Sequence, residues 1–173
     1  ICIALFTACG DSVVSPEQIE KYPSIYPDYI GVTVPATIAP MNFSYTDTSY
    51  ERIDVIVKGC QDKEVHINAK HVNFPEKEWK QLLTSNQGDS LLFTVSIKQK
   101  GKWSTYKPFP MYISPYPIDY GLVYRKIAPG YEVYSRMGIY ERDLSSHKER
   151  PLVENTLVKG MCVNCHAFNR TDP

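Results

Sequence analysis

Apolar and polar residues alternate in three stretches in the middle of the chain. The stretches are Ile53–Lys58, Val65–Lys70 and Leu91–Lys98. In each, every second position is apolar, and the positions between are polar except at Ile56 and Leu92. A period of two places those side chains on one face of a β-strand and the polar ones on the other. The pattern therefore predicts three strands that each bury one face.

A helical periodicity separates the second of these strands from the third. Within Pro75–Leu83 the residues Trp79, Leu82 and Leu83 share one helical face, and proline suits the first turn of a helix. Trp103–Met111 is predicted as a further strand, at the edge of a sheet because its prolines have no backbone N–H to donate. Together these elements predict a mainly β fold, an immunoglobulin- or fibronectin-like β-sandwich over residues 31–115. The Cys–Trp–Cys framework of antibody domains is absent, so the likeness concerns architecture alone.

The segments on either side of the predicted sandwich have different compositions. Residues 1–9 are predicted to be the remnant of an export signal with a lipidation site. The proline-rich residues 10–30 are predicted to be an extended tether that leads into a first strand near Gly31–Val34. Residues 116–173 show little alternation and predict an irregular, partly helical segment, with one further strand at Leu122–Tyr124. The expected organisation is therefore an anchor, a tether, one β-domain and a C-terminal segment.

Composition supports this fold and excludes some partners. The 13 Tyr and 13 Pro among 173 residues favour strands with rigid turns over a helical bundle. The 19 Lys and Arg balance 19 Asp and Glu, so no broad attraction to nucleic acid or acidic lipid is implied. The sequence contains no G-x-S-x-G elbow, glycine-rich phosphate loop or HExxH motif, and so does not indicate hydrolytic chemistry.

The strongest chemical signal is a CxxCH motif near the C-terminus, formed by Cys162, Cys165 and His166. This spacing is the attachment signature of haem c. The two thiols add to the vinyl groups of the porphyrin, and the adjacent imidazole becomes an axial ligand of the iron. The motif therefore predicts a covalently bound haem, with Cys162 and Cys165 as attachment residues and His166 on the iron.

Three other roles for the two cysteines stay open. A bare CxxC redox couple belongs to thioredoxin-like units, but the preceding sequence lacks their strand–helix alternation. A zinc site would need His147 or Cys60 to complete a tetrahedron. A structural disulfide would close a small, strained ring. Haem attachment is the interpretation that the sequence favours.

The sixth position of the iron has one candidate, Met137, which precedes the motif. A methionine ligand would raise the reduction potential relative to a histidine, whereas the alternative is a methionine that simply packs. The histidines outside the motif stand in polar surroundings and are predicted to be surface groups: His66, His71 and His147. Only seven residues follow His166, too few to enclose a haem, so we expect the natural protein to continue and the ligand can lie there.

The N-terminus predicts a lipid anchor. Ile1–Ala8 is apolar, and Leu5–Cys9 resembles a bacterial lipobox, in which the cysteine after a small residue receives lipid. Eight apolar residues are too few to span a bilayer as a helix, and the alternative is a buried strand. We therefore predict lipidation at Cys9 and a membrane-anchored protein at the periplasmic face or cell surface. Cys60 is then left without a partner and is predicted to be a small buried hydrophobe.

Several segments resemble one group of proteins: Ile25–Tyr29, Ile38–Phe43, Met137–Leu144, Pro151–Asn155 and Cys162–Phe168. The group comprises exported bacterial lipoproteins with a CxNCH motif, often catalogued as cytochrome c biosynthesis or TolB-like proteins. Members typically carry a TolB-like propeller after the haem motif, so the resemblance implies that this chain is an N-terminal piece. It also implies a periplasmic or surface location.

Electron transfer through a single haem c is the function that these features predict, with a redox protein as the partner. The alternative is a non-catalytic docking module of a propeller protein, with a protein or glycan partner and a subsidiary haem site. Exposed tyrosines favour this alternative if they bind carbohydrate rather than pack an edge strand: Tyr112, Tyr116 and Tyr120. A third interpretation, peroxidase-like catalysis, requires an open sixth position on the iron.

Overall fold

The computed structural model describes residues 11–60, 63–127 and 137–157. They divide into two compact units. The first comprises the described residues up to Ala36 together with Pro40–Pro117, and the second comprises Thr37–Ala39 and the described residues from Ile118 onward. Strands dominate both units, so the prediction of a mainly β fold is confirmed.

The described residues of the first unit form nine strands and one helix. The strands are β1 (Glu17–Ile19), β2 (Ile25–Tyr26), β3 (Thr33–Pro35), β4 (Ser44–Tyr45), β5 (Arg52–Lys58), β6 (Glu64–Ala69), β7 (Ser90–Gln99), β8 (Lys102–Tyr106) and β9 (Phe109–Ser114). The helix, α1, is Glu76–Ser85. The second unit has three described strands, β10 (Gly121–Lys126), β11 (Gly138–Asp143) and β12 (Glu149–Glu154).

Seven strands of the first unit form one sheet around the long strand β7. One edge of β7 pairs with β5, which pairs with β6, and the other edge is shared between β8 and β9. Strand β1 runs parallel to β8, and β3 runs parallel to β9. Because β8 and β9 have partners on both sides, the prediction of an edge strand over Trp103–Met111 is wrong. Pro108 and Pro110 lie between the residues of β8 that pair with β1 and the residues of β9 that pair with β3. Neither proline therefore has to donate a backbone N–H to β1 or β3.

The apolar face of this sheet is the core of the unit. Ile53, Val55 and Val57 of β5 are fully buried, as are Leu91 and Phe93 of β7. Helix α1 covers this face because Trp79, Leu82 and Leu83 recur at helical spacing and are all buried, as predicted. We call the covered side of the sheet the helix face and the opposite side the outer face.

A small sheet of β2 and β4 also lies on the helix face. The ring of Tyr45 in β4 lies 5.9 Å from that of Tyr106 in β8, and the two hydroxyls are 2.7 Å apart. Burial and the hydrogen bond to Tyr106 raise the pKa of Tyr45 above its usual value. The helix face is therefore covered by both a helix and a two-stranded sheet, and the two-sheet sandwich stays a prediction.

The connection after β5 depends on close contact with the end of α1. Asn86 is buried, and its Oδ1 accepts hydrogen bonds from the backbone N–H and the thiol of Cys60, at 2.7 and 3.0 Å. A Cβ on Gly59 would lie 2.2 Å from the same oxygen, so only glycine fits there. Cys60 itself is exposed, and its prediction as a buried hydrophobe is wrong. The polar contact with Asn86 takes the place of apolar packing.

Part of the predicted tether belongs to the folded unit. Residues 17–19 and 25–26, which lie in the proline-rich stretch, are strands β1 and β2. Asp11 lies on the outer face, where its carboxylate is 2.5 Å from Lys98 Nζ. We call residues 11–16 the N-terminal arm, which leads from this contact to β1.

The second unit contains an antiparallel sheet in the order β10–β11–β12. The prediction of an irregular, partly helical segment is therefore wrong over β11 and β12, whereas the strand predicted at Leu122–Tyr124 lies within β10. Charged residues are common in β11 and β12, and a cross-strand pair such as Glu141 and Arg150 leaves no apolar alternation to detect.

Candidate functional site

The residues that carry the predicted haem and lipid lie outside the described part of the chain. Cys162, Cys165 and His166 follow it, and Cys9 precedes it. Met137, the candidate sixth ligand, is described. The described residues show the surroundings of Met137 and the parts of the fold that are nearest to each motif in sequence.

Met137 lies immediately before β11 and is partly exposed. Its carbonyl oxygen accepts a hydrogen bond of 3.0 Å from the backbone N–H of Asn155, just after β12. Gly138 follows, and a Cβ there would lie 2.6 Å from the carbonyl oxygen of Val153, so this approach of the strands requires glycine. The backbone of Met137 is thus fixed beside the end of β12, from which the chain continues to Cys162.

One side of the sheet in the second unit carries a cluster of hydrogen bonds and charges centred on Glu149. The Glu149 carboxylate accepts from the hydroxyl of Tyr124 and lies 2.7 Å from Lys126 Nζ. The Lys126 ammonium also lies over the ring of Tyr140, 5.0 Å from its centroid. Tyr140 in turn donates to Glu154 Oε1 at 2.6 Å. This cluster, which we call the Glu149 cluster, links all three strands.

The contacts within the Glu149 cluster set its charge state. Hydrogen bonds from Lys126 and Tyr124 lower the pKa of the Glu149 carboxyl, which is therefore ionised at neutral pH. The bond to Glu149 raises the pKa of Lys126 and of Tyr124. A hydrogen bond to Glu154 likewise raises the pKa of Tyr140. The cluster thus presents fixed charges and neutral phenols rather than a group that titrates near pH 7.

Apolar burial is scarce in this sheet. Within the described residues from 118 onward, only Gly138, Ser146 and Asn155 are buried, and none has a large apolar side chain. Several apolar side chains are instead exposed: Ile118, Leu122, Ile127, Leu152 and Leu157. Three-stranded sheets need a hydrophobic face or a packed partner to be stable. Leu122 and Leu152 lie in the described strands and the other three residues lie in the segments that flank them. The described part of this unit therefore supplies apolar surface that something else can cover.

The histidines occupy the exposed positions that the sequence predicts. His147 is exposed and lies 3.3 Å from the Arg142 guanidinium. His71 is exposed, and the side chain of His66 is about half exposed. Among the described residues, no group of three or more His, Cys, Asp or Glu could bind a metal ion. The described helix is too short to cross a membrane.

A polar network on the outer face was not predicted from the sequence. Asp54 is 4% exposed, and its Oδ2 lies 2.7 Å from His66 Nε2 and accepts from Asn68 Nδ2 at 2.8 Å. Asn68 Nδ2 also donates to the carbonyl oxygen of Asp11 at 3.0 Å. This network, together with the ion pair of Asp11 and Lys98, fastens the N-terminal arm to the sheet. A charged residue amid the apolar positions of β5 was the signal that could have revealed it.

The outer face also carries a shallow groove at the β9 end of the sheet. It measures about 480 Å³, and Thr33, Ser90, Tyr112 and Tyr116 contribute to its lining. The tyrosine rings are exposed, at 47% for Tyr112 and 75% for Tyr116. The arrangement offers two aromatic surfaces beside hydroxyl groups, which is suited to an uncharged polar ligand.

Comparison of the whole chain with protein-family models, with curated proteins and with solved structures gave no match in any of the three.

Proposed function

We propose that this chain belongs to an exported, lipid-anchored protein that transfers electrons through one covalently bound haem. The observation that carries the proposal is the CxxCH spacing of Cys162, Cys165 and His166. Cys9 is the proposed site of lipidation, which agrees with the haem motif because both modifications belong outside the cytoplasm.

The donor set of the motif fits haem c. Two thiols three positions apart can form the two thioether links, and the imidazole of His166 supplies one axial ligand. Bound haem would supply one-electron chemistry at its iron. The protein residues attach it, orient it and restrict the access of water.

The sheet of the second unit supports this proposal in two ways. Its strand β12 ends at Glu154, eight residues before Cys162, so the strands lie directly upstream of the motif. The exposed apolar side chains of the sheet and of the described segments that flank it match the need of a porphyrin for apolar walls. Leu152 and Leu157 are the exposed leucines nearest the motif in sequence. A haem beside this sheet would give the unit the apolar contact that its described residues lack.

Met137 is the proposed sixth ligand. Seven peptide units separate Asn155 from Cys162, a span of at most about 25 Å in an extended chain. Since Met137 hydrogen-bonds to Asn155, the motif can reach it. The Met137→Ala variant is therefore expected to lose the low-spin, six-coordinate spectrum of the reduced protein and to bind carbon monoxide rapidly.

Optical spectra of the full-length exported protein check this prediction. Met41→Ala, which removes a partly exposed methionine of the first unit, is the matched control and should leave the spectrum unchanged. An unchanged spectrum in the Met137 variant would show that another residue ligates the iron. Rapid carbon monoxide binding by the wild-type protein would instead favour peroxidase-like chemistry at an open position.

The groove at Tyr112 and Tyr116 favours a second candidate, a docking module that binds a glycan. Sugar rings can stack on exposed aromatic faces while their hydroxyls bond to neighbouring polar groups such as Ser90. Asp89 is the only ionisable group of the groove apart from the tyrosines, and its Oδ1 accepts from the Ser90 backbone N–H at 2.7 Å. A neutral oligosaccharide is therefore the ligand class that fits.

Calorimetric titration with neutral hexasaccharides, such as cellohexaose and laminarihexaose, tests this second candidate. We expect Tyr116→Ala to weaken binding at least about tenfold, the loss of one stacked ring. Tyr120→Ala is the matched control, because Tyr120 is equally exposed but lies in the second unit. No binding by the wild-type protein, or equal binding by both variants, would exclude the groove as a glycan site.

The immunoglobulin- or fibronectin-like sandwich remains part of the proposal for residues 31–115. Support comes from β4, which pairs with β2 upstream of this range and packs over the helix face of the main sheet through Tyr45 and Tyr106.

A further inference from the structure

We infer that the turn between β7 and β8 lies against the membrane surface, where Lys100 and Lys102 contact lipid phosphates. We call Lys98–Lys102 the lysine hairpin. The inference rests on the lipidation of Cys9 proposed above. It replaces the long tether expected from the sequence with a short, fixed connection.

The first step is the length of chain between the lipid and the folded unit. Two peptide units separate Cys9 from Asp11, and they span at most about 7 Å. Asp11 is attached to the outer face twice, through its carboxylate to Lys98 Nζ and through its carbonyl oxygen to Asn68 Nδ2. A lipid on Cys9 therefore keeps this part of the outer face close to the bilayer surface.

The second step is the position of the lysine hairpin relative to Asp11. Asp11, Gly101 and Lys102 line the same groove, of about 510 Å³, beneath the N-terminal arm. Lys100 forms the tip of the turn with a positive φ of 51°, and both Lys100 and Lys102 are exposed. A bilayer that approaches Cys9 thus meets this turn before the helix face of the sheet.

The third step is charge. Asp11 neutralises Lys98, and the Glu51 carboxylate accepts from the backbone N–H of Gly101 at 2.9 Å. Lys100 and Lys102 form no ion pair with any residue in the described ranges. Glu17 lines the same groove, and the carboxylate of Asp47 accepts from Gln99 Nε2, so the surroundings of the hairpin carry no excess of positive charge. The covalent anchor, and not electrostatic attraction, therefore brings the hairpin to the membrane. The two free ammonium groups then donate to phosphate oxygens of the headgroups.

Lysine acylation of the full-length lipoprotein tests the inference. The protein is reconstituted into vesicles of phosphatidylethanolamine and phosphatidylglycerol, treated with a water-soluble succinimidyl ester, and compared with detergent-solubilised protein by peptide mass spectrometry. We expect Lys100 and Lys102 to react several-fold more slowly on vesicles than in detergent. Lys77, exposed on α1 across the sheet, should react equally in both.

A pair of variants separates the role of the arm from that of the anchor. Lys98→Ala combined with Asn68→Ala removes both attachments of Asp11, so the protection of Lys100 and Lys102 should fall while the protein stays on the vesicles. Lys80→Ala removes the Lys80–Glu76 ion pair of α1 and serves as the matched control, with protection retained.

The failures of the two proposals are distinguishable. If the protein is bound to vesicles and the ratio of the acylation rate on vesicles to that in detergent is the same for Lys100, Lys102 and Lys77, the inference is wrong. The lipidation of Cys9 is then unaffected. A protein without lipid, found in the soluble fraction, overturns the lipidation of Cys9 and the inference with it.

Discussion

Replacing Cys162 and Cys165 together by alanine will abolish the haem stain of the denatured protein. Thioether bonds survive denaturation, whereas the coordination bond of His166 to iron does not, so only the cysteines can retain haem in an unfolded chain. Each single replacement leaves one possible thioether and should weaken the stain. The measurement is a peroxidase-activity stain after denaturing electrophoresis of full-length protein exported from cells with working haem attachment.

Cys60→Ala is the control for the loss of a thiol. Cys60 is exposed and belongs to the first unit, so this variant should stain like the wild-type protein. A stain that persists in the double variant would show that the haem is attached to other residues. An unstained wild-type protein would support one of the other roles of the CxxC pair.

Replacing Trp79 by alanine will lower the free energy of unfolding of the first unit by about 3–5 kcal/mol. Trp79 is fully buried, and its ring centroid lies 4.9 Å from that of Phe74, which in turn meets Phe93 of β7 edge-on. The substitution removes the largest fully buried side chain and leaves a cavity between the helix and the sheet. Domains are stable by only about 5–15 kcal/mol, so much of the stability is lost. Urea unfolding followed by circular dichroism measures the change.

Lys77→Ala is the matched control for Trp79→Ala. Lys77 lies two positions earlier on α1 and is exposed, so its replacement should change the free energy of unfolding by less than about 0.5 kcal/mol. A Trp79 variant as stable as the Lys77 variant would contradict the packing of α1 on the helix face.

The best-predicted elements are those with one fully buried face. In β5, β7 and α1, the period of the apolar residues follows directly from the geometry of a strand or helix against a core. Ile53, Val55 and Val57 are buried as predicted, and so are Trp79 and Leu82. Burial of one face is the strongest constraint that a sequence pattern can record.

Elements that depend on backbone pairing or polar contacts were missed. Strand β1 is three residues long and joins the sheet in parallel to the distant strand β8, so it has no period to detect, whereas the strand predicted near Gly31–Val34 is found as β3. Strands β11 and β12 carry members of the Glu149 cluster and the pair of Glu141 and Arg150 in place of apolar alternation. The proline content of residues 10–30 favours a tether, but prolines also fit between short paired strands such as β1 and β2.

The candidate site likewise has one part that the sequence predicts and one part that only the structure shows. The spacing of Cys162, Cys165 and His166 predicts its own chemistry because two thiols and an imidazole at that spacing suit a porphyrin and its iron. The surroundings of Met137 depend on Gly138 and on the pairing with Asn155, which only the folded strands make visible.

The intact mass of the denatured full-length protein, exported from cells with working haem attachment, tests the central claim most directly. Covalent attachment through Cys162 and Cys165 predicts a mass that exceeds the polypeptide and its lipid by one haem. A mass equal to that of the polypeptide with its lipid alone would contradict the claim that this chain carries haem c.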